Sequence, residues 1–195
     1  MSNLFQKLTI QAFRAGVTPR KKESREWFRK RAQSISGQTN RKSLMKEKTL
    51  KRTNETLVGN MYMFFYDPKT KDKLPYYDTF PLIFVVGPAK GGFYGLNLHY
   101  LPPILRAQFL DALLDITNNN SYNDSTKLKL SYELLQRSTK FKYFKPCFKH
   151  YLTDHVKGNF AMVPAPEWEI AVFMPTAQWK KASRNKVYKD SRGAI

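Results

Sequence analysis

The 195-residue chain predicts an α+β fold, and three observations carry that reading. Apolar residues recur at helical spacing in the first third, and aromatic and β-branched runs broken by turn residues begin at Gly59. Helical spacing then returns after Leu101-Pro102-Pro103. Charge follows the same division: residues 1–58 carry 15 basic and 4 acidic side chains, residues 59–139 carry 8 and 7, and residues 140–195 carry 11 and 4. These boundaries predict a basic helical arm over 1–58, an α+β core domain over 59–175 and a basic tail over 176–195.

The elements follow in order. Leu4, Phe5, Leu8 and Ala12 form an apolar stripe that ends at Gly16, and Thr18-Pro19 restarts a helix over roughly 20–34. That helix has Trp27, Phe28, Arg31 and Ala32 on one side and Arg20, Lys21, Lys22, Arg25, Arg29 and Lys30 around the rest. The polar run at 36–43 reads as a linker, and a third basic helix over about 42–52 has Leu44 and Met45 as its anchors. GNMYMFFYD (59–67), FPLIFVV (80–86) and FYGLNLHY (93–100) read as three successive antiparallel strands. A turn-rich loop (67–78) and a tight connection (87–92) join them.

Pro102 and Pro103 suit the first turn of a helix whose apolar positions are Leu105, Phe109, Leu113 and Ile116, stopped by the asparagines at 118–120. A second helix, capped by Asp124 or Ser125, uses Leu128, Tyr132 and Leu135. A third, from about Pro146, uses Phe148, Tyr151, Leu152 and His155. FAMV (160–163) and EWEIAVFMP (167–175) read as the closing strands, with Trp168, Ile170 and Val172 alternating on one face. The architecture expected is a small, strongly curved antiparallel sheet with a helical insertion between its third strand and its last. An SH3-like barrel is the preferred member of that class, and an α+β sandwich with helices on one face is the rival.

A content of 42% hydrophobic and 14% aromatic residues places the chain among folded proteins. The single Cys147 forms no internal disulfide, which fits synthesis in a reducing cytoplasm. The N-terminal residues lack the apolar core of a signal peptide, and no stretch approaches the roughly 18 apolar residues of a membrane span, so no membrane partner is expected.

Catalytic motifs are sparse. Cys147, His150 and His155 have the spacing C-x2-H-x4-H, but no fourth ligand accompanies them, so a core or surface role is preferred and no metal is expected. Asp67, Asp78, Asp111, Asp115, Glu167 and Glu169 are the carboxylates a nuclease would draw on. Asp111 and Asp115 lie one helical turn apart, and Glu167 and Glu169 would share a strand face. No Asp/Glu-x-Lys triplet accompanies either pair. GPAKGGFYG departs from the phosphate-loop pattern and reads as a hairpin turn, and no G-x-S-x-G is present. The expectation is a non-enzymatic protein with no catalytic residue, cofactor or small-molecule substrate.

Binding remains. Arg20, Lys21, Lys22, Arg25, Arg29, Lys30 and Arg31 are dense enough to track a phosphate backbone, and Arg41, Lys42, Lys46 and Lys48 extend the track. Lys140, Lys142, Lys145 and Lys149 form a second patch interleaved with Phe141, Tyr143 and Phe144, which serve either as base-stacking platforms or as core anchors. The sequence therefore predicts double-stranded DNA or DNA ends as the partner. Leu4, Phe5, Leu8, Trp27 and Phe28 form a stripe that would dock on another protein.

Within residues 59–175, LPYYDTFPL (74–82) and GLNLHYLPP (95–103), with FKPCFKHYL and EWEIAVFMP downstream, resemble late virion proteins of T4-like contractile-tailed bacteriophages, in particular their DNA end protector family. The resemblance implies a protein made in the host cytoplasm and packaged in the virion. It would bind genome ends near the head-tail channel and shield them from host exonucleases. It transfers no functional residue: Tyr76, Tyr77, Phe80, Pro81, Leu96, Leu98 and Tyr100 look like packing. The alternative is a structural adaptor of the neck, tail or baseplate that binds portal or other virion proteins through the N-terminal helices. A metal-dependent nuclease is the third class.

Overall fold

The computed structural model describes residues 4–35, 39–138 and 140–193, without the side chains of Leu128 and Tyr143. Part of the expected linker therefore lies outside the described residues, as does the apolar role expected of Leu128. The chain opens with α1 (Leu4–Arg14), α2 (Lys22–Ser34) and the single turn α3 (Arg41–Leu44). Strands β1 (Lys51–Thr53), β2 (Met61–Tyr66), β3 (Tyr77–Asp78), β4 (Leu82–Ala89) and β5 (Gly92–Asn97) follow, then α4 (Pro103–Thr117) and α5 (Asp124–Ser138). The last third holds β6 (Phe148–Leu152), β7 (Val156–Val163), α6 (Trp168–Phe173), β8 (Trp179–Lys180) and α7 (Arg184–Gly193).

Six strands form one antiparallel sheet in the order β1-β7-β2-β4-β5-β6, and β3 pairs with β8 in a separate ribbon. The α+β class is met. The sheet is not closed, β1 and β6 being its edges, so the SH3-like barrel is not confirmed.

Alternation in the strands explains why both faces of the sheet are apolar. Met61 and Met63 of β2 join Leu82, Phe84 and Val86 of β4 in the cluster that the helices cover. Tyr62, Phe64 and Tyr66 join Ile83, Val85, Phe93, Tyr151 and Phe160 in a second cluster. Buried on both faces, such strands lose the polar half of the usual pattern. Phe64 centres the second cluster, with edge contacts to Phe93, Tyr151 and Phe160 at 5.1–6.0 Å. Gly95 leaves these rings their room: a Cβ would sit 2.7 Å from Ile83 Cδ1 and 3.1 Å from the Tyr151 ring, and one of them would have to shift.

The helix-covered cluster takes side chains from every part of the chain: Phe5, Leu8 and Phe28 from the first helices, Phe109 and Leu113 from α4, Val187 from α7. Helix α1 stops where expected, at Gly16, whose φ of +68° lets the Val17 amide reach back to the Ala12 carbonyl.

Several elements differ from the sequence-based expectation. The third basic helix is only the Arg41–Leu44 turn, and 51–53 pairs with β7 instead. The third strand ends at Asn97, whose side chain caps a 3-10 turn at Leu98–Tyr100. The helix expected from about Pro146 is instead the end of a 3-10 turn (Lys142–Cys147) followed by strand β6, because β5 offers Phe148–Leu152 an unpaired edge from Gly92 to Leu96. Within EWEIAVFMP, Trp168–Phe173 is helix α6, not a strand. All six of its residues are buried, and an element buried all round shows no periodicity that separates helix from strand. The tail contains β8 and α7.

Candidate nucleic-acid interface

Helix α2 sorts its side chains by face. Ser24, Arg25, Phe28 and Ala32 are buried, while Lys22, Lys30 and Arg31 are exposed. Its start is tied down by Glu169 of α6, which is 3% exposed and accepts the Arg20 amide at 3.0 Å and the Ser24 hydroxyl at 2.8 Å. A buried carboxylate there meets the positive end of the helix.

Two expected phosphate contacts turn inward instead. Arg25, 7% exposed, pairs with Asp111 of α4, and burial lowers its pKa against the opposing pull of Glu169, Asp115 and Glu23. Arg41 donates Nε to the Thr176 carbonyl at 2.7 Å and Nη2 to that of Ala177 at 2.8 Å. Both cations bind the chain itself because they extend from the apolar side of short helices. Arg20, Lys21, Lys22, Lys30, Arg31 and Lys42 remain exposed. Arg29 is half-buried and holds Glu26 at 2.9 Å.

The exposed face continues into α7. A recess of about 250 Å³ is lined by Arg29 and Gln33 of α2, Arg106 of α4, the 173–177 segment, and Arg184 and Tyr188 of α7. Arg106 is buried and donates to the carbonyls of Leu101 at 2.7 Å and Val172 at 3.0 Å, and to the Tyr188 hydroxyl at 2.7 Å. Three guanidiniums line this recess and no carboxylate does. Arg106 spends its Nε, Nη1 and Nη2 on the chain and on Tyr188, so it supplies positive potential from beneath, and the exposed Arg184 beside Arg29 is the group placed to meet a phosphate. Sequence reasoning misses Arg184 and Tyr188 because the last twenty residues read as a basic tail, and Arg106 because a lone arginine in α4 forms no basic run. The i, i+4 burial of Val187 and Ser191 is the amphipathic signal that marks α7.

In the second patch Lys140, Lys142 and Lys145 are exposed, whereas Lys149 is half-buried with Nζ 4.2 Å from the centre of the Tyr100 ring. Phe144 packs on Phe109 at 5.2 Å as a core anchor, and Phe141 is 59% exposed. The Tyr143 side chain lies outside the described residues. Tyr94 and Phe148 stack at 5.0 Å on the solvent side of β5 and β6, an exposed aromatic pair that the helical reading of 146–155 concealed.

The stripe expected to dock on another protein is used within the chain. Phe5, Leu8 and Phe28 are buried in the core, and Leu4 and Trp27 pack against it. The metal candidates are also dispersed. Cys147 is buried with its thiol pushed up to about 12 by burial, His150 meets the Lys90 carbonyl, and His155 meets that of Asp67. Among the described residues no three His, Cys, Asp or Glu side chains gather to hold a metal. Nor is any described helix long and apolar enough to cross a membrane.

A buried line of Asp78, His99 and Thr176 was not foreseen. His99 Nδ1 lies 2.6 Å from Asp78, and Nε2 lies 3.0 Å from the Thr176 hydroxyl. Burial lowers the His99 pKa, so the ring is neutral, donating through Nδ1 to the carboxylate and accepting the threonine hydroxyl at Nε2. The order acid, imidazole, hydroxyl is that of a nucleophilic triad, but His99 and Thr176 are fully buried. With the Phe80 and Gln178 amides also bound to Asp78, the line fastens β3 to the 176–178 segment.

The model of the phage T4 terminal DNA protecting protein family matches residues 3–192. The chain belongs to this family. The family match takes in the basic N-terminal helices and nearly all of α7 as well as the 59–175 core that carried the resemblance in sequence. No curated protein and no solved structure matches the chain.

Proposed function

We propose that this protein binds DNA ends through the outward cations of α2 and the guanidinium-lined recess between α2 and α7, and protects those ends by occupying them. The observation that carries the reading is that recess: arginines from three helices converge without a lining carboxylate in a member of a terminal DNA protecting family. A net charge of +19 supports a polyanionic partner. Protection by occupancy needs no bond chemistry, so the protein acts without catalysis or cofactor. Packaging in the virion near the head-tail channel, after synthesis in the host cytoplasm, belongs to the same proposal, as do contacts with portal or neck proteins. The adaptor reading loses support, because its docking stripe is buried in the chain's own core.

The sheet order β7-β2-β4-β5-β6, with only a 3-10 turn (Thr153–His155) between β6 and β7, supports reading these five strands as an SH3-like barrel left open along one seam.

The test is binding to linear duplexes and to covalently closed circles of the same sequence across a salt series, with exonuclease digestion in parallel. Preference for linear DNA with blocked digestion is expected. Equal, salt-sensitive binding to both forms would replace end protection with general DNA contact. Absence of binding at near-physiological salt would favour protein partners for the cations.

A further inference from the structure

A second cleft, of about 290 Å³, opens between the 68–76 loop and β6. Its walls are aromatic: Tyr66, Tyr76, Tyr77, Tyr100 and Tyr151 line it. Trp179 braces Tyr76 and Tyr100 edge-on at 6.2 and 4.8 Å, so these rings are fixed before anything binds. The floor is polar and ordered, with Asn97 Nδ2 donating to the Tyr151 hydroxyl at 3.1 Å.

Two buried or half-buried charges line the cleft without pairing with each other: Asp78, whose oxygens are taken by His99 and the Phe80 and Gln178 amides, and Lys149. Lys149 is half-buried over the Tyr100 ring, burial lowers its pKa, and among the described residues no carboxylate forms an ion pair with it. A cation withdrawn from water without an acid beside it is costly, and an anionic ligand removes that cost. The loop opposite is held by a second lysine. Lys181, at φ +67°, donates Nζ to the carbonyls of Lys71, Asp72 and Leu74 at 2.7–3.1 Å. That backbone conformation is unfavourable for a lysine and persists only where surrounding contacts fix it. The wall is therefore built.

We propose that this cleft takes an unpaired nucleotide at the end of a DNA strand, its base against Tyr76 and Tyr77, the partly exposed rings of the wall, and its phosphate on Lys149. Aromatic walls recognise any base face, the cation recognises the phosphate, and the volume suits one nucleotide where a duplex has no room. The inference rests on the DNA-end reading above and goes beyond it, because the arginine recess by itself does not distinguish frayed or overhanging ends from blunt ones.

The experiment compares the full-length protein with Lys149→Met and Tyr76→Leu, each checked for an unchanged melting transition, on blunt duplexes, duplexes with short single-stranded overhangs, and closed circles. The wild type is expected to prefer overhangs over blunt ends by about tenfold, and both variants to lose that preference. Equal binding of overhang and blunt ends by the wild type, or a preference that survives in Lys149→Met, overturns the cleft assignment while a preference for ends over circles leaves end protection standing. Failure to bind any of the three DNAs overturns both.

Discussion

Helix α2 and strand β6 are built from the same materials and put them to opposite use. Both runs, REWFRKRA and FKPCFKHYL, mix aromatic residues with cations. In α2 the 3.6-residue period turns Phe28 into the core and leaves Lys22, Lys30 and Arg31 in water. In β6 the period of two turns Lys149 toward the sheet interior with Tyr151, while Phe148 and His150 face out. The first arrangement makes a charged face suited to a long phosphate backbone. The second makes a cleft with one inward cation and an aromatic exterior. Which side chains face solvent therefore depends on the local backbone period, which composition does not reveal.

The largest expected effect breaks both regions at their anchors. Phe28→Ala and Tyr151→Ala each remove a ring that is less than a tenth exposed, and each should cost about 3–5 kcal/mol in urea unfolding. Tyr151 contacts Phe64, Tyr66 and Phe93, so its loss detaches β6 and the cleft together. A loss below about 1 kcal/mol at either site would mean that the surrounding core refills the space.

Next in size is a change on the charged face alone. Lys22→Glu, Lys30→Glu and Arg31→Glu together should weaken DNA binding on the order of 100-fold and flatten the dependence of log K on log salt, since each lost phosphate contact lowers that slope by about 0.9. These side chains are exposed, and the melting temperature should hold. An unchanged salt slope would move the interface away from α2.

Arg25→Ala separates the two kinds of cation on the same helix. It unpairs Asp111, which is partly exposed, so a destabilisation of about 1–3 kcal/mol is expected in urea titration with little change in the salt slope. A large slope change without destabilisation would return Arg25 to the DNA surface.

Much of this was legible in sequence where one face of an element meets water. The stripe of α1 and the proline-led start of α4 appear as read, and in α2 Phe28 and Ala32 turn inward as read. Arg25, however, takes the buried place expected of Arg31, and α5 is capped by Asn123 rather than by Asp124 or Ser125. The signal failed where an element is buried all round, as in α6, whose Trp168, Ile170 and Val172 alternate like a strand while Glu169 is buried against α2. It also failed at β6, where Phe148, Tyr151 and Leu152 have helical spacing but a free sheet edge decides the conformation. The inward turns of Arg25 and Arg41 were beyond reach for the same reason: their partners, Asp111 and the 176–177 carbonyls, are distant in sequence.

The smallest expected effect tests how the helical region is fastened to the body. Glu47 receives the Leu4 amide at 2.7 Å and Glu169 receives the Arg20 amide, each holding a chain segment at a helix start. Glu167 is half-buried near both, and its Oε2 has no hydrogen-bond partner among the described residues. Burial raises its pKa, and the charges of Glu47 and Glu169 raise it further. A carboxyl that holds its proton more tightly in the folded state destabilises that state once ionised. Its unfavourable contribution is complete above the raised folded value and vanishes as pH falls below the ordinary glutamate range. Glu167→Gln should therefore stabilise the protein on the order of 0.5 kcal/mol at near-neutral pH and leave it unchanged at about pH 4, read from urea midpoints at the two conditions. An equal gain at both would assign the effect to packing and remove charge repulsion from the junction between the basic helices and α6.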